Sequence, residues 1–335
     1  MSLDHSTVKE SVPIFEYRDG LALPLFTRLD REWELDAFKP FRYHTSIFYM
    51  KKCAKYDIEK PYFFNVPVED SWKPTVQQTN VSYTRKTVAV TDIRGYEDAF
   101  SLDRHGFQLG ILRTSLCYEE FSSDNSIVTR YYQDVKEFLT KQLGATEVLP
   151  FDFQVRRKDP NLPAGSRGAP GKAQPFAAVH GDQTKNAAYR RLKYFHPEFA
   201  EKYVNDRFQI VNVWKPLLGP VCDSPLAVCD YRTVADDDRV PTDIIFPDYL
   251  GETYNFWPNS EHRFYYIDQQ LPEEAWMIKC FDSATEDDPQ IAQFTPHVSF
   301  PYSRKTDYSS TMRESVEVRA FVFYKEATEQ QLKSL

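Results

Sequence analysis

The sequence predicts a mainly β protein with flanking helices, built around a barrel or a jelly roll. Beyond residue 210 the chain runs mostly as short apolar segments separated by turns rich in Pro, Asp and Asn, which is typical of such folds. Aromatic residues are abundant (25 Phe, 21 Tyr and 5 Trp), and they favour sheet surfaces and apolar cavities. Apolar residues recur at helical spacing over two regions, 124–143 and 184–204.

Length, charge and cysteine content narrow the class of protein. The 335 residues predict a single domain, with residues 1–85 as an N-terminal elaboration of a core that spans 86–325. The net charge of −8, without a stripe of lysine and arginine, argues against a nucleic-acid partner. The sequence shows neither a signal peptide nor an apolar run of bilayer length, and its five cysteines form no CxxC pair. We therefore expect a cytoplasmic protein with reduced thiols and no membrane partner.

The first elements in chain order are short strands and one clear helix. Two β-like runs, 62–66 and 88–90, lie in a stretch interrupted by prolines. Asp124 is placed to cap a helix whose apolar residues recur as far as Leu143, where a glycine follows as a typical C-terminal cap. The segment 148–155 then predicts a strand.

A loop and two helices surround the most informative motif. The segment 159–173 contains three prolines and three glycines, so it is either a surface loop or a mobile lid over a site. Residues 176–179 predict a short apolar strand that ends at His180. Helical sequence follows over 184–195 and resumes at Pro197, a residue that fits the first position of a helix.

The last part of the chain predicts a series of strands. Branched and aromatic residues dominate short runs that end at turn-forming residues, as strands of a sandwich or barrel do. These runs lie at 210–214, 226–229, 263–267, 274–281, 297–300 and 316–324.

The candidate metal ligands begin with the run His180-Gly181-Asp182. On an extended chain the side chains of His180 and Asp182 point to one face. Two histidines and one carboxylate on one face of an iron leave its other positions open, the arrangement of non-haem Fe(II) oxygenases. The pattern is weak by itself, since His196-Pro197-Glu198 also fits it but predicts only the start of a helix.

Two histidines on late strands compete for the third ligand position. His297 is favoured because Arg313 and Ser315 follow it at a spacing that suits a metal ligand and a co-substrate clamp on nearby strands. His262 has no such pair after it. We therefore expect His262 to line a pocket or to contact a metal ligand without binding the metal itself. The hypothesis is a metal centre formed by His180, Asp182 and His297.

The run from Arg313 to Arg319 supplies a candidate site for an acid. Strand alternation places Arg313, Ser315 and Arg319 on one face. A planar guanidinium beside a hydroxyl suits the distal carboxylate of a keto-acid co-substrate. Arg319 is either the alternative clamp or a partner for Glu317, and a solvated polar face is the alternative to any clamp.

Other polar and aromatic residues are candidates for lining the cavity. The candidates near the co-substrate are Asn212 and Trp214. The candidates for holding the substrate are His262, Arg263, Tyr265 and Lys215. Their charge favours a small-molecule substrate that bears a carboxylate.

Longer blocks of the sequence resemble a known family. These blocks are Asp103–Phe107, Val179–Thr184, Val213–Leu217, Gly219–Val221, Asp223–Asp230, His262–Tyr266, Phe281–Ser283, Pro296–Phe300 and Arg313–Ala320. Through them the chain resembles the fungal hydroxylase/desaturases called AsaB-like, which are related to a gibberellin desaturase and to a cephalosporin 7-alpha-methoxylase component. The resemblance covers residues 85–325.

The resemblance implies a fold, an activity and a set of cofactors. The implied fold is a double-stranded β-helix, the cupin-like jelly roll. The implied activity is that of an Fe(II)/2-oxoglutarate-dependent oxygenase of fungal secondary metabolism, which uses O2 and is stimulated by ascorbate. Such an enzyme hydroxylates, desaturates or cyclises its substrate at an unactivated C–H bond. The pair Arg313 and Ser315 also resembles the co-substrate motif of plant 2-oxoglutarate oxygenases.

Two other functions stay open on the sequence alone. A cupin-like binding or accessory protein would keep the barrel without the oxidation. An oxygen-independent metal-dependent isomerase or hydrolase would use the same ligands. A homodimer is a further expectation, because a second copy commonly covers an exposed sheet edge.

Overall fold

The computed structural model describes residues 40–69, 71–73, 75–162, 173–203, 206–302 and 312–325. Within these ranges the chain forms two β-sheets. The nine-stranded sheet contains, in spatial order, β1 (Arg42–Met50), β3 (Tyr83–Asp92), β11 (Phe264–Tyr266), β8 (Leu226–Cys229), β13 (His297–Ser299), β6 (His180–Gly181), β10 (Leu250–Phe256), β9 (Arg239–Ile245) and β2 (Tyr62–Phe64). The five-stranded sheet contains β4 (Phe107–Ile111), β12 (Glu274–Asp282), β7 (Phe208–Pro216), β14 (Glu314–Phe323) and β5 (Glu147–Arg157).

The helices of the described ranges are short and lie beside the sheets. They are α1 (Leu102–His105), α2 (Asp124–Ser126), α3 (Tyr132–Leu143), α4 (Lys185–Phe195) and α5 (Pro197–Lys202). A π-helical turn over Ile127–Tyr131 joins α2 to α3. The helices α4 and α5 are separated at His196, because the ring of Pro197 disfavours helical backbone in the residue before it. No helix among these ranges is long and apolar enough to cross a membrane.

Apolar side chains from both sheets fill the space between them. Trp214, Trp276 and Ile278 of the five-stranded sheet pack with Leu226 and Val228 of the nine-stranded sheet. The opposite face of the five-stranded sheet is covered by α3, whose apolar stripe contacts valines of β7 and β14. Strands β7 and β12 are buried along their whole length, so any polar residue on them needs a partner inside the protein.

The predicted mainly β jelly roll is confirmed. The six late strand predictions correspond to β7, β8, β11, β12, β13 and β14, with ends shifted by at most two residues. Strands β9 and β10 were missed, because a proline in β9 and polar residues in β10 obscure the strand pattern. None of the five cysteines forms a disulfide with another described residue, as expected for reduced thiols.

Other predictions about segments need correction or lie outside the described ranges. The predicted strand at 176–179 is wrong: Ala178 makes one isolated bridge to Phe48, and regular pairing begins at His180. The predicted boundary at residue 85 falls inside β3. Residues 163–172 are not among the described residues, so most of the loop or lid predicted at 159–173 is outside them.

Candidate metal and co-substrate site

Three predicted ligands lie together on the nine-stranded sheet. His180, Asp182 and His297 each offer one ligand atom, and these atoms all lie within 4.8 Å of one another. The Oδ1 atom of Asp182 is 3.4 Å from Nε2 of His180 and 3.7 Å from Nε2 of His297. Two imidazoles and one carboxylate facing a common point suit an Fe(II) ion. His262, the competing histidine, is not part of this cluster.

Strand pairing brings the two histidines together. His180 on β6 lies directly opposite His297 on β13, and their ring centroids are 4.2 Å apart. On its other side β13 pairs with β8, where Val228 lies opposite His297. Asp182 follows β6 two residues after His180, which returns its side chain to the same side.

Backbone carbonyls orient both imidazole rings. Nδ1 of His180 lies 3.0 Å from the carbonyl oxygen of Ala178, and Nδ1 of His297 lies 3.1 Å from that of Thr295. When Nδ1 donates a proton to a carbonyl, Nε2 carries the lone pair that a metal needs. Burial, reinforced by His297, lowers the pKa of His180 to about 3, so its ring is neutral at physiological pH.

The residue before β4 helps to place His297. Gly106 ends α1 with a left-handed backbone (φ 87°). A side-chain carbon there would lie only 2.6 Å from the carbonyl oxygen of Phe294, so only glycine fits without displacing the backbone that precedes His297. This close approach explains the glycine in the block Asp103–Phe107.

The five-stranded sheet orients the carboxylate of Asp182. Its Oδ2 atom accepts hydrogen bonds from Nδ2 of Asn212 (2.6 Å) and Nε of Arg319 (3.3 Å), which leaves Oδ1 toward the histidines. Burial raises the pKa of Asp182, but Arg319 and the two histidines outweigh it and hold that pKa well below its usual range. Asn212 and Arg319, both predicted near the co-substrate, therefore contact the metal-facing acid.

Arg319 is already paired with acids. Besides Asp182, its guanidinium donates to Asp152 (3.0 Å) and to Glu317 (2.5 Å). A guanidinium held by three carboxylates has little capacity left for a further anion. The alternative of Arg319 as the carboxylate clamp is thus disfavoured by its surroundings.

Arg313 and Ser315 are buried and retain unused polar atoms. Nη1 of Arg313 donates to the carbonyl oxygen of Ser224 (2.8 Å) and to Oγ of Ser299 (3.2 Å), and its guanidinium lies 5.5 Å from the ring centre of Trp214. Neither Nε of Arg313 nor Oγ of Ser315 has a partner among the described residues. Buried polar atoms are normally satisfied, so these two fit a carboxylate-bearing ligand such as 2-oxoglutarate.

Arg156 on β5 lies beside the candidate site, and the sequence analysis did not single it out. It lies opposite Ser315 across the β5–β14 pair, and the charges of Glu317, Arg319 and Asp182 act on its own. The only signal in the sequence is a double arginine at the end of a predicted strand.

The predicted substrate residues line a separate cavity of about 870 Å³. Arg263 and Tyr265 are part of its wall, together with Arg42, Lys86 and Arg232. His262 also lines it, but its side chain is buried, and Tyr49 Oη (2.9 Å) and Asp238 Oδ2 (3.1 Å) lie at its two ring nitrogens. Among the described residues of the wall there is no Asp or Glu, so the cavity is positively charged.

Lys215 was wrongly predicted to face the substrate. Along β7 it shares a face with Val211 and Val213, which pack under α3, whereas Asn212 and Trp214 face the nine-stranded sheet. Its ammonium lies over the rings of Phe121 (5.6 Å) and Tyr131 (5.9 Å). Burial lowers the pKa of Lys215 to about 8.

We expect Lys215→Met to stabilise the protein. The unfolded chain binds a proton at Lys215 up to about pH 10.4, whereas the folded protein releases it near 8. Wild-type stability therefore rises with pH between these values, and the charged lysine costs stability below them. The substitution should raise the free energy of unfolding at pH 7 by about 1–2 kcal/mol. Urea titrations at pH 7 and pH 10 check this, and an unchanged pH dependence would contradict it.

Comparisons with known proteins agree with the geometry. A protein-family profile described as "Oxidoreductase/YMDC permease-like domain" matches residues 47–323. The hydroxylase/desaturase efuI of Hormonema carpetanum is 31% identical over 270 residues, which cover 75% of this chain and 88% of that protein. The Fe(II)/2-oxoglutarate-dependent dioxygenase nvfI of Aspergillus novofumigatus is 30% identical over 266 residues, 75% of this chain and 88% of that protein.

A solved structure shows the same fold. The iron and alpha-ketoglutarate-dependent endoperoxidase NvfI superposes with a TM-score of 0.72 and 24% identity, covering 85% of this chain and 99% of that one. The resemblance drawn from the sequence blocks is thereby confirmed. The chain belongs to the fungal hydroxylase/desaturase family of Fe(II)/2-oxoglutarate-dependent dioxygenases, whose members use Fe(II), 2-oxoglutarate and O2.

Proposed function

We propose that His180, Asp182 and His297 hold Fe(II) in this dioxygenase, and that Arg313 and Ser315 bind the distal carboxylate of 2-oxoglutarate. The observation that carries the proposal is the convergence of the three ligand atoms within 4.8 Å. The unused Nε of Arg313 and Oγ of Ser315 support the second part. When bound, iron and 2-oxoglutarate supply the activation of O2 that oxidises a substrate C–H bond, while 2-oxoglutarate is decarboxylated to succinate.

The protein's own groups prepare the site for that chemistry. The carbonyl oxygens of Ala178 and Thr295 keep Nε2 of each histidine available. Asn212 and Arg319 keep Asp182 ionised and turned so that Oδ1 faces the histidines. The aromatic packing around Trp214 and Trp276 excludes water from the neighbouring space between the sheets.

We infer a small-molecule substrate that bears a carboxylate, which is hydroxylated, desaturated or oxidatively cyclised. The cavity lined by Arg263 and Tyr265 supports this, because its wall carries cations and aromatic rings. Tyr265 lies opposite Val228, and Val228 lies opposite His297. Because β8 lies between the strands of Tyr265 and His297, these two residues are two strand spacings, or about 10 Å, apart. A polycyclic acid is long enough to span that distance.

We also infer a single domain, a homodimer and a cytoplasmic location. Strands β1 and β2, from the N-terminal part of the chain, are built into the nine-stranded sheet, which supports one domain. The edge strand β1 is nine residues long and is bridged at Phe48 by Ala178, and the rest of such an edge favours pairing with a second copy. Light scattering of the purified protein tests the dimer.

The decisive experiment is an anaerobic titration of the metal-free protein with Fe(II) and then 2-oxoglutarate. We expect the visible charge-transfer band of the chelate, and we expect Arg313→Gln to weaken 2-oxoglutarate binding about 10- to 100-fold through the loss of a charge-assisted hydrogen bond. Arg130→Gln is the control, since Arg130 pairs with Glu120 at the surface.

With the band established, succinate release is compared for candidate acids and their methyl esters, and equal activity would contradict the carboxylate proposal.

Failure of the titration points to one of the other functions. Iron binding without a band, at saturating 2-oxoglutarate, favours an oxygen-independent isomerase or hydrolase. Absence of iron binding favours a binding or accessory protein.

A further inference from the structure

The inner face of β14 continues onto β5 as a row of polar pairs. Across the β5–β14 pair, Ser315 lies opposite Arg156, Glu317 opposite Gln154, and Arg319 opposite Asp152. Residues that face each other across two strands share one face, so Arg156 belongs to the same face as Ser315 and Arg313. Arg157, the next residue, faces away and donates to Glu314 (2.9 Å) and Ser122 (3.1 Å).

The three arginines of this face differ in their partners. Arg319 is held by three carboxylates. Arg313 donates only to a carbonyl and a hydroxyl, and Arg156 donates to the carbonyl oxygen of Gln174 (2.8 Å), with no carboxylate hydrogen-bonded to either guanidinium in the described ranges. Arg156 and Arg313 thus share a face with the hydroxyl of Ser315, which has no hydrogen-bond partner among the described residues.

The charge of Arg156 acts on Arg313. Burial lowers the pKa of both guanidinium groups, and Arg156 adds to the lowering at Arg313, whose pKa falls to about 9 although Asp223 and Glu317 oppose it. Asp182 also acts on Arg156, so Arg156 lies toward the metal ligands as well. An anion between Arg156 and Arg313 would relieve the repulsion and replace lost hydration.

We propose that Arg156 is the second guanidinium that binds the distal carboxylate of 2-oxoglutarate, together with Arg313 and Ser315. The proposal rests on the co-substrate site proposed above. A carboxylate offers about four acceptor positions, which two guanidinium groups and one hydroxyl can fill. The backbone of Arg156 pairs with Ala173. Through its side chain, Arg156 would therefore connect the co-substrate to the segment at Ala173.

The test combines a change in the protein with a change in the ligand. Binding of 2-oxoglutarate and of 2-oxopentanoate, in which a methyl group replaces the distal carboxylate, is measured by anaerobic calorimetry on the Fe(II)-loaded protein. We expect Arg156→Gln to weaken 2-oxoglutarate binding about 10- to 100-fold and to leave 2-oxopentanoate binding unchanged, because the lost interaction involves only the missing carboxylate. Arg156→Lys should restore part of the affinity, and Fe(II) affinity should not change.

Arg157→Gln is the matched control, since it removes a neighbouring arginine that faces the other way. Unchanged 2-oxoglutarate binding in Arg156→Gln, with weakened binding in Arg313→Gln, would overturn the inference and leave the proposed function intact. Equal weakening for both ligands would also overturn it, since Arg156 would then act on the fold or the metal. If the wild-type protein binds no 2-oxoglutarate, the proposed function itself is wrong.

Discussion

We expect Asp182→Ala to abolish Fe(II) binding and turnover. The substitution removes the one carboxylate of the cluster and leaves Nε of Arg319 and Nδ2 of Asn212 without their acceptor. Loss of a group that merely supports a metal ligand typically costs about 10- to 100-fold in affinity, so loss of the ligand itself should cost more than about 100-fold. Inductively coupled plasma analysis of iron after gel filtration, with succinate release, measures the effect.

The control for this prediction is Asp152→Asn. Asp152 also pairs with Arg319 (3.0 Å), but it lies outside the three-residue cluster. The Asp152→Asn variant should bind iron with an affinity within about 10-fold of wild type, because Asp152 supports Asp182 only through Arg319. Iron content in Asp182→Ala equal to wild type would refute the ligand assignment.

The largest expected loss of stability follows from Asp282→Ala. This carboxylate is fully buried and accepts hydrogen bonds from Arg207 (2.6 Å), Lys279 (2.6 Å) and Gln209 (2.7 Å). Lys279 is also fully buried, so removing Asp282 leaves it with Asp103 alone. Breaking a buried pair by removing one partner costs about 3–5 kcal/mol. Urea unfolding at pH 7 followed by tryptophan fluorescence measures the change.

The pH dependence and a surface variant sharpen this prediction. Burial raises the pKa of Asp282, but Arg207 and Lys279 outweigh it, so the folded pKa lies below the usual value. The carboxylate thus stabilises the fold above about pH 4, and the gap between wild type and variant should narrow as the pH falls further. Asp236→Ala, which removes an exposed partner of Arg239, should cost less than about 1 kcal/mol. Equal losses in the two variants would contradict the argument.

Much of the fold was predictable because the relevant signals are local. Strand β8 was predicted with its observed ends, and β12 within one residue, since each is an apolar run closed by turn residues. Alternation along β14 correctly placed Arg313, Ser315 and Arg319 on one face, because Val316 and Val318 pack on the opposite side. The same rule, applied to β7, would have separated Lys215 from Trp214 and prevented the one wrong prediction about the substrate.

The parts of the site that were missed depend on contacts between distant segments. Arg156 and Ser315 lie opposite each other only because of the register between β5 and β14. A single sequence does not reveal that register. The choice between Arg313 and Arg319 likewise required knowing that Asp152, Asp182 and Glu317 all reach Arg319. His297 was preferred to His262 from its distance to Arg313, which is a property of the chain itself, and the structure places His297 beside His180 and Asp182.

The site is divided between the two sheets, and this has a consequence for folding. The three proposed ligand residues belong to the nine-stranded sheet or follow it directly, whereas Asn212 and Arg319, which donate hydrogen bonds to Asp182, belong to the five-stranded sheet. Asp182 and Arg319 are 137 residues apart in sequence, so their contact forms only when distant parts of the chain have docked. We therefore expect high-affinity metal capture to be a late event in folding, so that the rate at which refolding protein gains tight iron binding reports the docking of the two sheets.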